Sequence, residues 1–77
     1  MTKEIIVVSA AWCARCNTLK NDLTRNGIIY KVVDADTEEG MTFCRENNVR
    51  SLPTSFIYED GQLKKTLIGL KKVGEFL

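Results

Sequence analysis

Apolar and polar positions along this chain switch between two periods, and the switches mark its elements. Residues 4–9 carry a nearly unbroken β-branched run, Ile5-Ile6-Val7-Val8, the pattern of a short strand buried on both faces. From Cys13 to about Asn26 the period lengthens to that of a helix. Cys16, Leu19 and Leu23 fall on one face, and Arg15, Lys20 and Asp22 are left for solvent. Asn26-Gly27 is a helix stop, and residues 28–34 return to strand character. One helix between two apolar strands predicts a right-handed βαβ unit with parallel pairing.

The second half is read from its turn and cap residues. Asp36 and Glu39 have the spacing of a capping box, opening a second helix from Thr37 to about Asn48. Met41, Cys44 and Asn48, with Phe43 and Val49 alongside, are assigned to its buried side, and Gly40 weakens its first turn. After Pro53, residues 54–58 and 63–68 read as two strands joined through Glu59-Asp60-Gly61-Gln62, where Asp-Gly signals a tight hairpin. Gly69 ends the last strand, and residues 71–77 are predicted as a short terminal helix. The order is β-α-β-α-β-β-α, an α/β chain with a four-stranded mixed sheet and helices on both faces. Residues 1–77 are expected to form a single domain.

Composition narrows the function. Eleven Lys and Arg against ten Asp and Glu leave a net charge of +1, which argues against nucleic acid as a partner. No apolar run reaches the length of a membrane span, and the first residues lead into a strand without a signal-peptide layout, so the cytoplasm is the expected compartment. A monomer is expected. Three cysteines fit poorly with a secreted disulfide scaffold. The chain has no histidine, which removes cysteine–histidine hydrolysis and histidine-ligated zinc.

The remaining chemistry lies in Trp12-Cys13-Ala14-Arg15-Cys16. Two thiols one helical turn apart can bond without much bending of the backbone. The first lies among the unpaired N–H groups of a helix N-terminus, where a thiolate is favoured. A CxxC between a strand and a helix of a βαβ unit reads as a thiol–disulfide exchange site. Cys44 is read as a buried packing thiol, with a regulatory third cysteine as the alternative. A metal module built on Cys13, Cys16 and Cys44 would fall short of four ligands, so no metal is expected.

This pattern resembles the thioredoxin/glutaredoxin superfamily over essentially the whole chain, through Trp12-Cys13-x-x-Cys16, Leu52-Pro53-Thr54 and Gly69 after the last strand. The resemblance implies a thioredoxin-like fold and catalysis by Cys13 as nucleophile and Cys16 as resolving thiol. It implies that Trp12 shapes the rim beside the sulfur. It also implies a cis Leu52–Pro53 bond, although only about 5% of X–Pro bonds are cis. Leu52 would then offer its backbone to an extended substrate, with Thr54 and Gly69 nearby. Arg15 is read either as a cation favouring the Cys13 thiolate or as a solvated surface charge.

The length is similar to that of small glutaredoxin-like hydrogen donors of ribonucleotide reductase and their phage relatives, whereas Leu52-Pro53-Thr54 looks more like thioredoxin. The double glycine of glutaredoxins is missing at Gly69-Leu70, and the buried aspartate of thioredoxins is missing from Ile5-Ile6-Val7-Val8. The resemblance thus implies an electron carrier that reduces protein disulfides, ribonucleotide reductase among the acceptors, with no bound cofactor. Its electrons would come from a flavin enzyme, thioredoxin reductase, or from glutathione. A glutathione-dependent glutaredoxin and a non-catalytic interaction module are the alternatives.

Overall fold

A computed structural model describes residues 3–69 of the 77-residue chain. The elements are β1 (Lys3–Ser9), α1 (Ala14–Arg25), β2 (Lys31–Asp34), α2 (Glu38–Glu46), β3 (Thr54–Glu59) and β4 (Gln62–Ile68). The strands form one sheet in the order β2-β1-β3-β4, with β1 parallel to β2 and antiparallel to β3. The expected terminal helix at 71–77 lies outside the described residues.

The apolar run of β1 explains its central place. Val7 and Val8, which point to opposite faces, are both fully buried. On one face Ile5, Val7, Ile57 and Leu67 pack against Leu19 and Leu23 of α1. Burying each leucine contributes about 1.5–3 kcal/mol. On the other face Phe56 meets Phe43 of α2 edge-on, ring centres 5.8 Å apart. The two helices therefore cover opposite faces of the sheet.

Helix α1 buries Cys16, Leu19 and Leu23, as its periodicity requires. It ends where Gly27, at φ +69°, turns the chain back. The Gly27 N–H donates to the Thr24 carbonyl at 3.1 Å and the Ile28 N–H to the Leu23 carbonyl at 2.9 Å. This return takes up Ile28, so β2 begins at Lys31 rather than at residue 28. Ile28 and Tyr30 pack on the core from the connecting loop, and Ile29 is exposed.

The start of α2 differs from the expected capping box. Its N-cap is Thr37, whose Oγ1 accepts from the Gly40 N–H at 2.9 Å and donates to the Asp34 carbonyl at 2.8 Å. Gly40 marks a close approach: a Cβ there would overlap the Asp34 carbonyl oxygen. Helix α2 is shorter than expected, ending at Glu46, with Asn48 exposed at φ +55°. Its assigned buried side is only partly covered. Phe43, Cys44 and Val49 are half-buried, and Met41 is 51% exposed. The helix rests on the sheet through Gly40 and Phe43, and its stripe extends beyond the strands beneath it.

The hairpin joins β3 and β4 through Asp60 and Gly61, both at positive φ, as Asp-Gly predicts. Lys64 and Lys65 are exposed on the edge strand β4, a placement that discourages further strand pairing. No described helix is long and apolar enough to cross a membrane.

Candidate active site

Cys13 is the N-cap of α1. Its backbone is extended, at φ −90° and ψ 106°, and its Sγ accepts from the Cys16 N–H at 3.2 Å. The Cys13 N–H donates to the Ala10 carbonyl at 3.1 Å, which closes the loop leaving β1. The sulfur thus stands where a serine or aspartate oxygen usually caps a helix, against N–H groups carrying partial positive charge. Cys16 follows one turn later and is bonded to Cys13 as a disulfide, with Cα atoms 5.2 Å apart. Cys13 keeps 8% exposure and Cys16 none. The outer sulfur faces the surface, and the inner one is sealed beneath the helix.

The loop before β3 closes over this pair. The Leu52–Pro53 bond is cis, as the resemblance implied. Leu52 packs against the cluster of Ala10, Cys13 and Cys16. Pro53 is buried, its carbonyl accepting from the Gly69 N–H at 2.8 Å, and the buried Thr54 hydroxyl donates to the Ser51 carbonyl at 2.6 Å. Thr54 and Gly69 therefore tie the loop down.

A groove of about 410 Å³ opens beside Cys13, lined by Trp12, Met41, Cys44, Val49, Arg50 and Leu52 among others. Of the residues expected to meet a substrate, the groove brings Trp12 and Leu52 together with Cys13. Arg15 is exposed on the first turn of α1 and does not line the groove. Met41, Val49 and Arg50 were not legible as groove residues. Their apolar members read as core, because periodicity marks a stripe without saying how much of it the sheet covers. Cys44, expected to be buried, is half-buried and lines the same groove.

Trp12 is 71% exposed, yet its ring is held: Nε1–H donates to Asp36 Oδ1 at 3.2 Å. The Asp36 N–H donates in turn to Asp34 Oδ1 at 2.9 Å. Asp36, expected as a helix cap, instead ties the CxxC loop to the β2–α2 loop. Asp36→Ala should change stability by no more than about 0.5 kcal/mol, because the bond is exposed. It should release the indole, and the check is the Trp12 fluorescence anisotropy decay. An unchanged decay would show that the bond does not restrain the ring.

Among the described residues no Asp, Glu, Lys or Arg is buried, so none of their charges is buried beside Cys16. The buried polar residues are Ser9, Thr54 and Ser55, and the Ser55 hydroxyl has no hydrogen-bond partner.

Comparison with known proteins gives a consistent picture. The family model described as Thioredoxin matches residues 1–77. The chain is 28% identical over 76 residues to Thioredoxin H3 of Arabidopsis thaliana, covering 92% of this chain and 64% of that protein. It is 31% identical over 64 residues to Thioredoxin 1 of Synechococcus elongatus, covering 78% of this chain and 60% of that one. Oxidised mitochondrial Thioredoxin 3 from Saccharomyces cerevisiae superposes with a TM-score of 0.75 at 28% identity, over 90% of this chain and 68% of that structure. The chain thus spans less than two thirds of the plant and cyanobacterial relatives.

Proposed function

The chain belongs to the thioredoxin family, and on that premise we propose that it is a thiol–disulfide oxidoreductase reducing protein disulfides through Cys13 and Cys16. The observation that carries this reading is the asymmetric pair, with an outer sulfur at the cap of α1, an inner sulfur buried, and a groove beside the outer one. In the reduced protein Cys13 lies where the helix end favours a thiolate. That thiolate attacks one sulfur of the substrate disulfide, and the other leaves as a thiolate. Cys16 then attacks Cys13 Sγ, the mixed disulfide breaks, and the second substrate sulfur departs. Two electrons pass to the substrate, and Cys13–Cys16 remains oxidised, the state described above.

Trp12 and Leu52 form the rim that receives the substrate segment, and Pro53 sets the Leu52 backbone beside the sulfurs. Arg15, on the exposed side of the first turn, adds positive charge near the thiolate. No bound cofactor takes part. The electrons come from thioredoxin reductase, a reading supported by the family match and by the missing double glycine at Gly69-Leu70. Ribonucleotide reductase is the acceptor that the resemblance brings forward, and the carrier acts as a monomer in the cytoplasm.

The test is NADPH-coupled reduction of a disulfide-bonded protein, run with thioredoxin reductase and, in parallel, with glutathione and glutathione reductase. Turnover is expected with the first system. Turnover only with glutathione would replace this reading by a glutaredoxin whose tripeptide site is built without the usual motif. A Cys13→Ser/Cys16→Ser variant that keeps the full biological activity would favour an interaction module instead.

A further inference from the structure

We infer that the Ser55 hydroxyl donates a hydrogen bond to the Cys16 sulfur in the reduced protein, acting as a positioning residue that stabilises the buried thiolate; this rests on the dithiol reading above. Ser55 lies in the middle strand pair of the sheet with 1% exposure, and its Oγ is buried without a partner. Most buried hydroxyls in folded proteins are hydrogen-bonded, because leaving one unpaired forfeits its hydration with nothing in return. A partner that forms only in another state of the protein would satisfy the Ser55 hydroxyl.

The register says which one. Ser55 is opposite Val7 of β1 on one side and Leu67 of β4 on the other. Both belong to the cluster under α1, so strand alternation turns Ser55 toward α1 as well. Along β3 it stands between Ile57, which packs under Leu19 and Leu23, and the Leu52–Pro53 segment, where Leu52 packs on Cys13 and Cys16. The buried side chains α1 offers to this face are Cys16, Leu19 and Leu23, and only Cys16 can accept a hydrogen bond. In the oxidised protein, where the Cys16 sulfur is bonded to Cys13, the hydroxyl makes no hydrogen bond. Reduction creates a thiol or thiolate there, a far better acceptor.

Among the described residues, little else can serve the inner sulfur. On this face of the sheet, among the described residues, β1 supplies Val7, β3 supplies Ser55 and β4 supplies Leu67, none of which is ionisable. Cys13 is the ionisable neighbour among the described residues. On α1, Lys20 is half-buried one turn further along and Arg15 is exposed; Tyr30, half-buried, sends its hydroxyl to the Lys20 carbonyl at 3.3 Å. In the resolving step the Cys16 thiol gives its proton to solvent, the thiolate attacks Cys13 Sγ, and the substrate sulfur leaves with the electron pair of the broken bond. Ser55 keeps its own proton throughout and donates a hydrogen bond to the developing thiolate.

The experiment follows the two steps separately. Reduced protein in a Cys44→Ser background is mixed with an aromatic disulfide, dithiobis-nitrobenzoate, whose thiol absorbs visible light. Cys13 releases the first thiol and Cys16 the second. In Ser55→Ala the second phase should slow about tenfold at neutral pH and its pH midpoint should rise by about one pH unit, with the first phase unchanged. Ser55→Thr, which keeps the hydroxyl, should retain the parent profile. If Ser55→Ala does not fold, Ser55→Val and Ser55→Thr make the same comparison at matched shape. A second phase that overlays the parent, or two phases slowed equally, would overturn the inference and leave the dithiol reading standing. Absence of any second release in the parent would overturn both.

Discussion

Cys13→Ser is expected to remove disulfide reduction by about a thousandfold or more, while the protein remains folded. A serine hydroxyl is not ionised at neutral pH and cannot replace the thiolate as nucleophile. It can replace the sulfur as helix cap, because Cys13 Sγ accepts the Cys16 N–H and serine is among the preferred residues at that position. Lost activity with an unchanged helix signal would therefore locate the defect in chemistry rather than in folding. Cys16→Ser separates the two sulfurs. The first attack remains possible but the resolving one does not, so the variant should accumulate a covalent adduct with its substrate. Mass spectrometry of the variant after exposure to a disulfide-bonded protein reads this directly. Residual turnover in Cys13→Ser close to the parent rate would overturn the assignment of the nucleophile.

Gly40→Ala is expected to destabilise the protein by about 3 kcal/mol or more. The sign opposes helix propensity, since alanine in place of glycine inside a helix ordinarily gains up to about 1 kcal/mol. Here the new Cβ would fall on the Asp34 carbonyl oxygen, which is backbone and cannot swing aside. Helix α2 would have to lift from the end of β2. That movement disturbs the groove wall at Met41 and Cys44 and the loop through which Asp36 holds Trp12. Urea unfolding measures the first effect, and the NADPH-coupled assay measures the second at temperatures where the variant is folded. A midpoint equal to or above that of the parent would show that the close approach is not required.

The contrast between the two helices shows where sequence reading succeeds. Helix α1 lies over the middle of the sheet, so every apolar position on its stripe finds a partner and the stripe reads correctly as Cys16, Leu19 and Leu23. Helix α2 covers less of the sheet, so a stripe of the same kind leaves Met41 exposed. Gly40, read as a weak point of a helix turn, is the residue that lets the helix settle. No local pattern reports a contact with a carbonyl six residues earlier. Asp36 and Thr37 compete for one cap. The hydroxyl of Thr37 serves both Gly40 and Asp34, which frees Asp36 for the indole of Trp12, 24 residues away.

By itself the sequence determined the strand and helix order over the described residues, the tight Asp60-Gly61 hairpin, and the CxxC at the head of the first helix. These follow from spacing, capping and turn preferences that act over a few residues. Through family likeness it also carried the cis bond before Pro53. Only the tertiary structure decided what lies around the two sulfurs. It placed Leu52 on the disulfide, Cys44 in the groove, Asp36 on Trp12, and a lone hydroxyl under α1. Each of these joins segments distant in the chain, and the pairing depends on how strands align and how far a helix stands from the sheet.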